Sequence, residues 1–289
     1  MRYSIFQGDR LMDLPLKQGA TFSLLEGPET GRLLLMIHGA TVPHWEFDQL
    51  VPHLHKANWQ TLRMDLYGHG RSARPERDYT ISLFTEQIWE ALSYLRTKTG
   101  ISVLGHSLGA VIAVNLVQQH PEFFRHLILV APMLDFIAKQ WWSRLLQVPG
   151  LGEWMMRKVV ITQLRKRRQR RYSAIGVESF IPRFEEQLAY PGFDRALLSM
   201  FRCGTLADQG MVYRNCGSLT KDVAKFLLWG EEDHVVSRQD IEKICALIGP
   251  HQMEIMSDTE HNLFITHPEQ VAAKLLSFLE GTPTMSQTG

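Results

Sequence analysis

Residues 105–109 read Gly-His-Ser-Leu-Gly, a G-x-S-x-G pattern that could hold a nucleophilic serine, Ser107, in a sharp turn. The pattern follows a short apolar run and precedes small and apolar residues, so it lies between a predicted strand and a predicted helix. Flanking glycines keep the neighbouring backbone clear of such a strained turn, and the helix N-terminus favours developing negative charge. Two glycines could also serve only close packing of strand and helix. The context favours Ser107 as a nucleophile.

A serine hydroxyl is a poor nucleophile at neutral pH and needs a base, which in turn needs an acid to orient it. Asp233 and His261 each follow a predicted strand downstream, which gives the chain order serine, aspartate, histidine. This position distinguishes His261 among the 12 histidines. Asp233 is the predicted acid, in competition with Glu231, Glu232 and Asp135. A solvated acidic loop is the other interpretation of the cluster around residue 233.

Two further histidines, His106 beside the serine and His234 beside the acid, are left outside the predicted triad. Acyl transfer also requires donors for a tetrahedral oxyanion, usually two backbone N–H groups. Residues 38–40 read His-Gly-Ala after an apolar run, and small residues there would let the backbone approach a substrate. We predict that the N–H of Ala40, or of Thr41, acts with that of Leu108. A plain turn after a strand is the alternative.

Short apolar runs alternate with helical patterns along most of the chain. The predicted strands are 33–37, 61–66, 101–104, 127–130, 225–229 and 252–256, and the predicted helices are 48–56, 82–98, 108–119, 239–247 and one after residue 266. This alternation is typical of an α/β protein with a doubly wound, mostly parallel sheet.

The alternation stops between residues 132 and 221, in a segment rich in Trp, Met and Arg. We interpret 132–221 as an inserted helical cap. Residues 1–131 and 222–280 would then form the two parts of one core, and the polar residues 281–289 a flexible tail.

The motifs resemble those of the α/β-hydrolase superfamily over about residues 20–280. The residues that carry the resemblance are His38-Gly39, the Asp-x-x-Gly-x-Gly-x-Ser segment 65–72, the Ser107 turn, Gly230-x-x-Asp233 and His261. The chain is most similar to bacterial cap-bearing serine esterases and lipase-like hydrolases. This resemblance implies the α/β-hydrolase fold and hydrolysis of a small-molecule carboxylic ester through an acyl-enzyme.

These motifs indicate the reaction class more narrowly than they indicate the substrate. Serine rather than aspartate at 107 argues against the dehalogenase and epoxide-hydrolase branches, and Ala40 disfavours esterases with a glycine-rich HGGG-type loop. A thioesterase, a lactonase, a carbon–carbon bond hydrolase or a non-catalytic small-ligand binder remain alternatives. Apolar cap residues could line a pocket for an apolar acyl or aromatic group, or form the cap's own core: Trp141, Trp142, Leu145, Leu146, Trp154, Met155, Met156, Val159 and Val160. No cofactor or metal site is predicted.

Composition indicates a globular protein, with 289 residues, 45% hydrophobic residues and a net charge of +1. The basic run 165–171 could contact an anionic membrane surface or form a solvated helical face, and nucleic-acid binding is disfavoured because no known module accompanies it. Three scattered cysteines fit a reducing compartment. With neither a signal peptide nor a membrane span in the sequence, the expected location is the cytoplasm.

Overall fold

A single sheet of eight strands forms the centre of the computed structural model, which describes residues 9–281. In chain order the strands are β1 (Arg10–Leu16), β2 (Gly19–Glu26), β3 (Arg32–Ile37), β4 (Trp59–Met64), β5 (Ile101–His106), β6 (Phe124–Val130), β7 (Ala224–Gly230) and β8 (Gln252–Met256). Their order across the sheet is β1-β2-β4-β3-β5-β6-β7-β8. The β1–β2 and β2–β4 pairs are antiparallel and the remaining pairs are parallel. The predicted α/β class with a mostly parallel sheet is confirmed.

The hairpin formed by β1 and β2 is not among the predicted strands. Its strands are joined by a two-residue turn, since Leu16 pairs with Gly19. Strand β1 buries only Leu14 and contains Pro15, which a strand tolerates at a sheet edge. An edge strand does not need the largely apolar sequence that identifies the buried central strands.

Helices cover the sheet and connect most of its parallel strands. They are α1 (Val51–Lys56), α2 (Ile81–Tyr94), α3 (Leu108–Gln119), α4 (Leu151–Met155), α5 (Ile161–Ala174), α6 (Ile181–Ala189), α7 (Phe193–Arg202), α8 (Gly210–Leu219), α9 (Arg238–Ile248), α10 (Leu263–Thr266) and α11 (Pro268–Gly281). The Thr80 side chain caps α2 by accepting the N–H of Leu83, and Ser237 with Asp240 forms a capping box on α9. Helix α3 is buried on nearly all sides, which explains its almost wholly apolar sequence.

Helices α4 to α8 lie between β6 and β7, where strand alternation stops in the sequence. One turn of π-helix, Met156–Val160, joins α4 to α5. Helix α8 packs against α3 and α9 of the core, and the Tyr213 hydroxyl donates to the carbonyl of Met133 at 2.7 Å. We propose that residues 132–221 form a cap whose last helix, α8, packs against helices of the core.

The central strands β3, β5, β6 and β7 are buried along most of their length. The first part of the chain, through β6, and the part from β7 onward contribute to this one sheet. The predicted flexible tail, 281–289, lies outside the described residues except for Gly281, where α11 ends. Within residues 9–281, the helices are too short or too polar to cross a bilayer.

Candidate active site

The carboxyl ends of β3, β5, β7 and β8 meet at one edge of the sheet, the usual position of ligand sites in open α/β folds. Ser107 follows β5 and precedes α3 with φ 54° and ψ −114°, a strained conformation for a residue other than glycine. A Cβ atom at Gly105 would collide with the backbone of Gly109, and one at Gly109 would collide with the carbonyl of Ile37. Both glycines are therefore required by close approach of α3 to the sheet.

Asp233 and His261 are joined directly. The Asp233 Oδ2 atom lies 2.7 Å from Nδ1 of His261, and its Oδ1 atom accepts the N–H groups of Val235 at 2.7 Å and Val236 at 2.9 Å. Burial by itself would raise the pKa of Asp233, but His261 and the two N–H donors hold it below its ordinary value. An ionised Asp233 fixes the proton of His261 on Nδ1 and leaves Nε2 free to accept one.

His261 is itself only 8% exposed. Burial lowers its pKa below the ordinary value; the Asp233 carboxylate opposes this effect, and the positive charges of His106 and Arg168 reinforce it. At neutral pH the imidazole is therefore uncharged, which is the form that a general base requires. Ser107 and His261 line the same cavity.

The alternative acids have other partners or positions. Glu231 and Glu232 are exposed, and Glu231 pairs with Arg238 at 3.0 Å. Asp135 also lines the cavity, but its Oδ1 atom accepts the N–H of Ala138 at 2.9 Å. His234 is exposed at the cavity rim. Among the four predicted candidates, Asp233 is thus the carboxylate bonded to His261.

The two predicted oxyanion donors follow the neighbouring strands β5 and β3. Leu108 is the first residue of α3, and Ala40 lines the cavity just after β3. His69 fixes the Ala40 loop, since its Nε2 atom lies 2.9 Å from the Ala40 carbonyl oxygen. The alternative donor, Thr41, lies next to Ala40 and also lines the cavity.

A cavity of about 890 Å³ opens above Ser107. Apolar side chains from the cap and from the loops make up much of its wall: Trp142, Leu145, Met155, Leu197, Phe201, Leu206 and Val236. Several predicted pocket residues, among them Trp142 and Leu145, line this cavity, whereas Leu146 and Met156 are buried in the hydrophobic core. Trp154 is 55% exposed.

The basic run divides between two sides of α5. Arg165 pairs with Glu185 at 2.8 Å, Arg171 pairs with Glu260, and Arg168 reaches the Thr41 hydroxyl at 3.4 Å. A second set, Lys166, Arg167 and Arg170, is exposed, and the last two residues line the cavity mouth. Helical periodicity explains the division, because residues one or two positions apart point to different sides.

One buried carboxylate near the serine, Glu46, is not among the predicted site residues. Glu46 lies in the 3₁₀ turn His44–Phe47 and contacts His106, which lies outside the predicted triad. An acidic residue between the aromatic residues Trp45 and Phe47 is the single signal that the sequence offers. Glu46 and His106 come together through the parallel pairing of β3 with β5.

Comparison with known proteins agrees with this architecture. The family model of the alpha/beta hydrolase fold matches residues 32–268. A pimeloyl-[acyl-carrier protein] methyl ester esterase of Neisseria meningitidis is 25% identical over 257 residues, covering 88% of this chain and 95% of that protein.

Solved structures give the same result at the level of the fold. A putative epoxide hydrolase from Pseudomonas aeruginosa superposes with a TM-score of 0.78 at 19% identity, covering 97% of this chain and 98% of the other. A structure from a study of carboxylesterases of Nitrososphaera gargenis gives 0.73 at 18% identity, covering 94% and 98%. With the family model matched from β3 to the start of α11, the chain belongs to the α/β-hydrolase fold family.

Proposed function

We propose that the protein is a serine hydrolase that cleaves a carboxylic ester, with Ser107 as nucleophile, His261 as base and Asp233 as the acid that orients it. The observation that carries this proposal is the 2.7 Å contact between Asp233 and His261 in the cavity that contains the strained Ser107 turn. General-base activation is what a serine hydroxyl needs at neutral pH.

In the proposed reaction, His261 Nε2 removes the hydroxyl proton as Ser107 Oγ attacks the ester carbonyl carbon. The N–H groups of Ala40 and Leu108 donate to the resulting oxyanion. His261 then returns the proton to the alkoxide leaving group as the carbon–oxygen bond breaks, which leaves an acyl-enzyme. Water, deprotonated by His261, attacks the acyl carbon and releases the acid with restoration of Ser107.

The apolar wall of the cavity supports an apolar acyl or aromatic group in the substrate. Trp142 and Phe201 contact each other with ring centroids 5.6 Å apart, and both line the cavity. Burial of such groups is favourable by about 25 cal/mol per Å² of apolar area. Thioesters, lactones and carbon–carbon bond substrates present a similar carbonyl to the same groups, so they remain alternative substrates.

An anionic partner outside the cavity is a separate proposal. Lys166, Arg167 and Arg170 are exposed near the cavity mouth and could contact an anionic membrane surface. The name of the Neisseria relative places its acyl group on a carrier protein, and the same three cations would suit an acidic carrier. Inhibition of ester hydrolysis by added acyl-carrier protein, with no binding to anionic vesicles, would favour the carrier as partner.

A fluorophosphonate probe tests the central assignment. We expect covalent labelling of Ser107 by peptide mass spectrometry, and loss of labelling and ester hydrolysis in Ser107→Ala, by a factor on the order of 10⁴ or more. Ser82→Ala, on an exposed position of α2, is the matched control and should retain both activities. An unlabelled Ser107 with ester turnover retained in Ser107→Ala would refute the proposal. Ligand binding without turnover would favour the non-catalytic binder.

A further inference from the structure

A carboxyl group and an imidazole, those of Glu46 and His106, are buried together beside the serine. Each is only 2% exposed, and His106 Nδ1 lies 3.1 Å from both carboxylate oxygens of Glu46. Removing a carboxylate from water is costly unless its charge is paired and hydrogen-bonded, so this arrangement requires a compensating set of contacts.

Glu46 supplies a second contact, to the proposed oxyanion loop. Its Oε1 atom accepts the N–H of Gly39 at 3.1 Å. Gly39 immediately precedes Ala40, the proposed oxyanion donor. The Glu46 carboxylate therefore fixes the Gly39 N–H, one residue before the Ala40 N–H that is proposed to donate to the oxyanion.

The other nitrogen of His106 contacts the loop of the proposed base. His106 Nε2 lies 3.0 Å from the carbonyl oxygen of His261. A carbonyl oxygen can only accept a hydrogen bond, so Nε2 carries a proton, and a proton on Nδ1 serves the Glu46 carboxylate. Burial opposes the charged form, yet Glu46 and the His261 carbonyl raise the pKa of His106 above its ordinary value. The contacts at both ring nitrogens thus favour the positively charged form of His106.

The two imidazole rings are neighbours, with centroids 4.8 Å apart. The charged groups around His261 are Asp233 on the loop after β7, His106 at the end of β5 and Arg168 on α5. Glu260, the residue before His261, is paired with Arg171. A positive charge on His106 disfavours a second positive charge on His261 and so favours its basic form.

We propose that Glu46 and His106 are a positioning pair that fixes the oxyanion loop and the His261 loop around Ser107 and keeps His261 uncharged. The proposal rests on the proposed function, because it assigns these residues a role through Ser107 and His261. Neither residue needs to touch the substrate. One carboxylate and one imidazole thereby link three loops that come from distant parts of the chain.

The variant Glu46→Gln tests this pair with almost no change in volume. We expect kcat for a short 4-nitrophenyl ester to fall by about 10- to 100-fold with KM changed much less, because misplaced catalytic groups slow the chemical step more than binding. His106 should become neutral, and the pKa of His261 should rise when the adjacent charge is lost. The acid limb of the kcat/KM profile should then move to higher pH.

Controls separate this role from simple support of the fold. Asp48→Asn removes a carboxylate nearby on the chain that is paired with Arg63 and Arg183 instead, and it should leave the pH profile in place even if the melting temperature falls. The double variant Glu46→Gln/His106→Gln should lose no more activity than the worse single variant, as expected for groups that act as a unit. If Glu46→Gln does not fold, His106→Gln alone is measured in the same way.

Failure of the pair and failure of the proposed function give different results. If the unaltered protein reacts with the fluorophosphonate at Ser107, but Glu46→Gln and His106→Gln react at the same rate with the same pH dependence, the positioning role is wrong. If the unaltered protein does not react at all, the proposed function is wrong. A slower reaction with its acid limb shifted upward in folded Glu46→Gln supports the pair.

Discussion

The loops at the carboxyl edge of the sheet and the helices above the cavity hold their side chains in different ways. Ser107, Asp233 and His261 are each no more than 8% exposed, and backbone groups fix Asp233. On the cap, Trp141 is 84% and Leu145 40% exposed. We infer that the buried loops at the carboxyl edge of the sheet would carry the chemistry. The more exposed side chains of the cap would select the substrate.

The largest effect should come from the acid in the buried loops. Asp233→Asn should preserve the fold but misorient His261 and leave its imidazolium form unsupported, lowering turnover by a factor on the order of 10⁴. Asp135→Asn is the matched control, since Asp135 lines the same cavity but caps the turn at Ala138. Steady-state kinetics on one ester decides between them. If Asp135→Asn had the larger effect, Asp135 in the loop after β6 would be the acid instead.

Acidic pH should act through the same loop. Because the pKa of His261 lies below its ordinary value of about 6.5, activity should persist through that pH and fall only in more acidic solution, where Nε2 becomes protonated. Below the midpoint, kcat/KM should drop about tenfold per pH unit. Rates measured from pH 4 to 8, with circular dichroism to confirm folding, test this expectation. A profile that stays flat over this range would exclude a histidine base.

A smaller effect is expected from the cap wall. Catalytic efficiency should rise with acyl length by up to roughly fourfold per methylene, equivalent to about 0.8 kcal/mol, until the cavity is full. Trp142→Ala should move the optimum to longer chains by widening the cavity. Trp154→Ala is the control, because Trp154 is exposed and lies outside the cavity wall. Identical length profiles for all three proteins would remove the acyl-pocket assignment.

The exposed cations should affect partner binding rather than chemistry. Replacing Lys166, Arg167 and Arg170 with Gln should weaken binding to vesicles containing phosphatidylserine by roughly 1 kcal/mol per charge, while hydrolysis of a short soluble ester stays unchanged. The control variant replaces three exposed lysines outside the cap with Gln, which removes the same total charge: Lys56, Lys98 and Lys243. Vesicle cosedimentation provides the comparison. Equal binding by both variants would mean that the exposed cations on α5 form a solvated surface.

How much the sequence reveals depends on how local each signal is. The strand that precedes Ser107 is largely apolar because both of its faces are buried, so the pattern alone identifies it. Strand β1 gives no such signal at the sheet edge. The order of residues along the chain identifies Asp233 and His261 as candidates for the acid and the base. The structure joins them by a hydrogen bond, and their catalytic roles stay predictions.

Other features depend on contacts between distant segments and could not be found by pattern. Glu46 meets His106 only once β3 and β5 are paired. The basic run is uniform in sequence, yet Arg171 pairs with Glu260 while Arg170 is exposed. Which side of a helix faces the core depends on its packing, and the charges alone give no direction.

The tight contact of α3 with the sheet also limits what the glycine pattern can reveal about activity. Gly105 and Gly109 are demanded by backbone that would collide with any side chain, whether or not Ser107 reacts. A descendant of this chain that lost catalysis would still have to keep both glycines in order to fold. Selection acting on the glycines alone therefore reports on folding, whereas the side chains of Ser107, Asp233 and His261 would record whether the chemistry has been maintained.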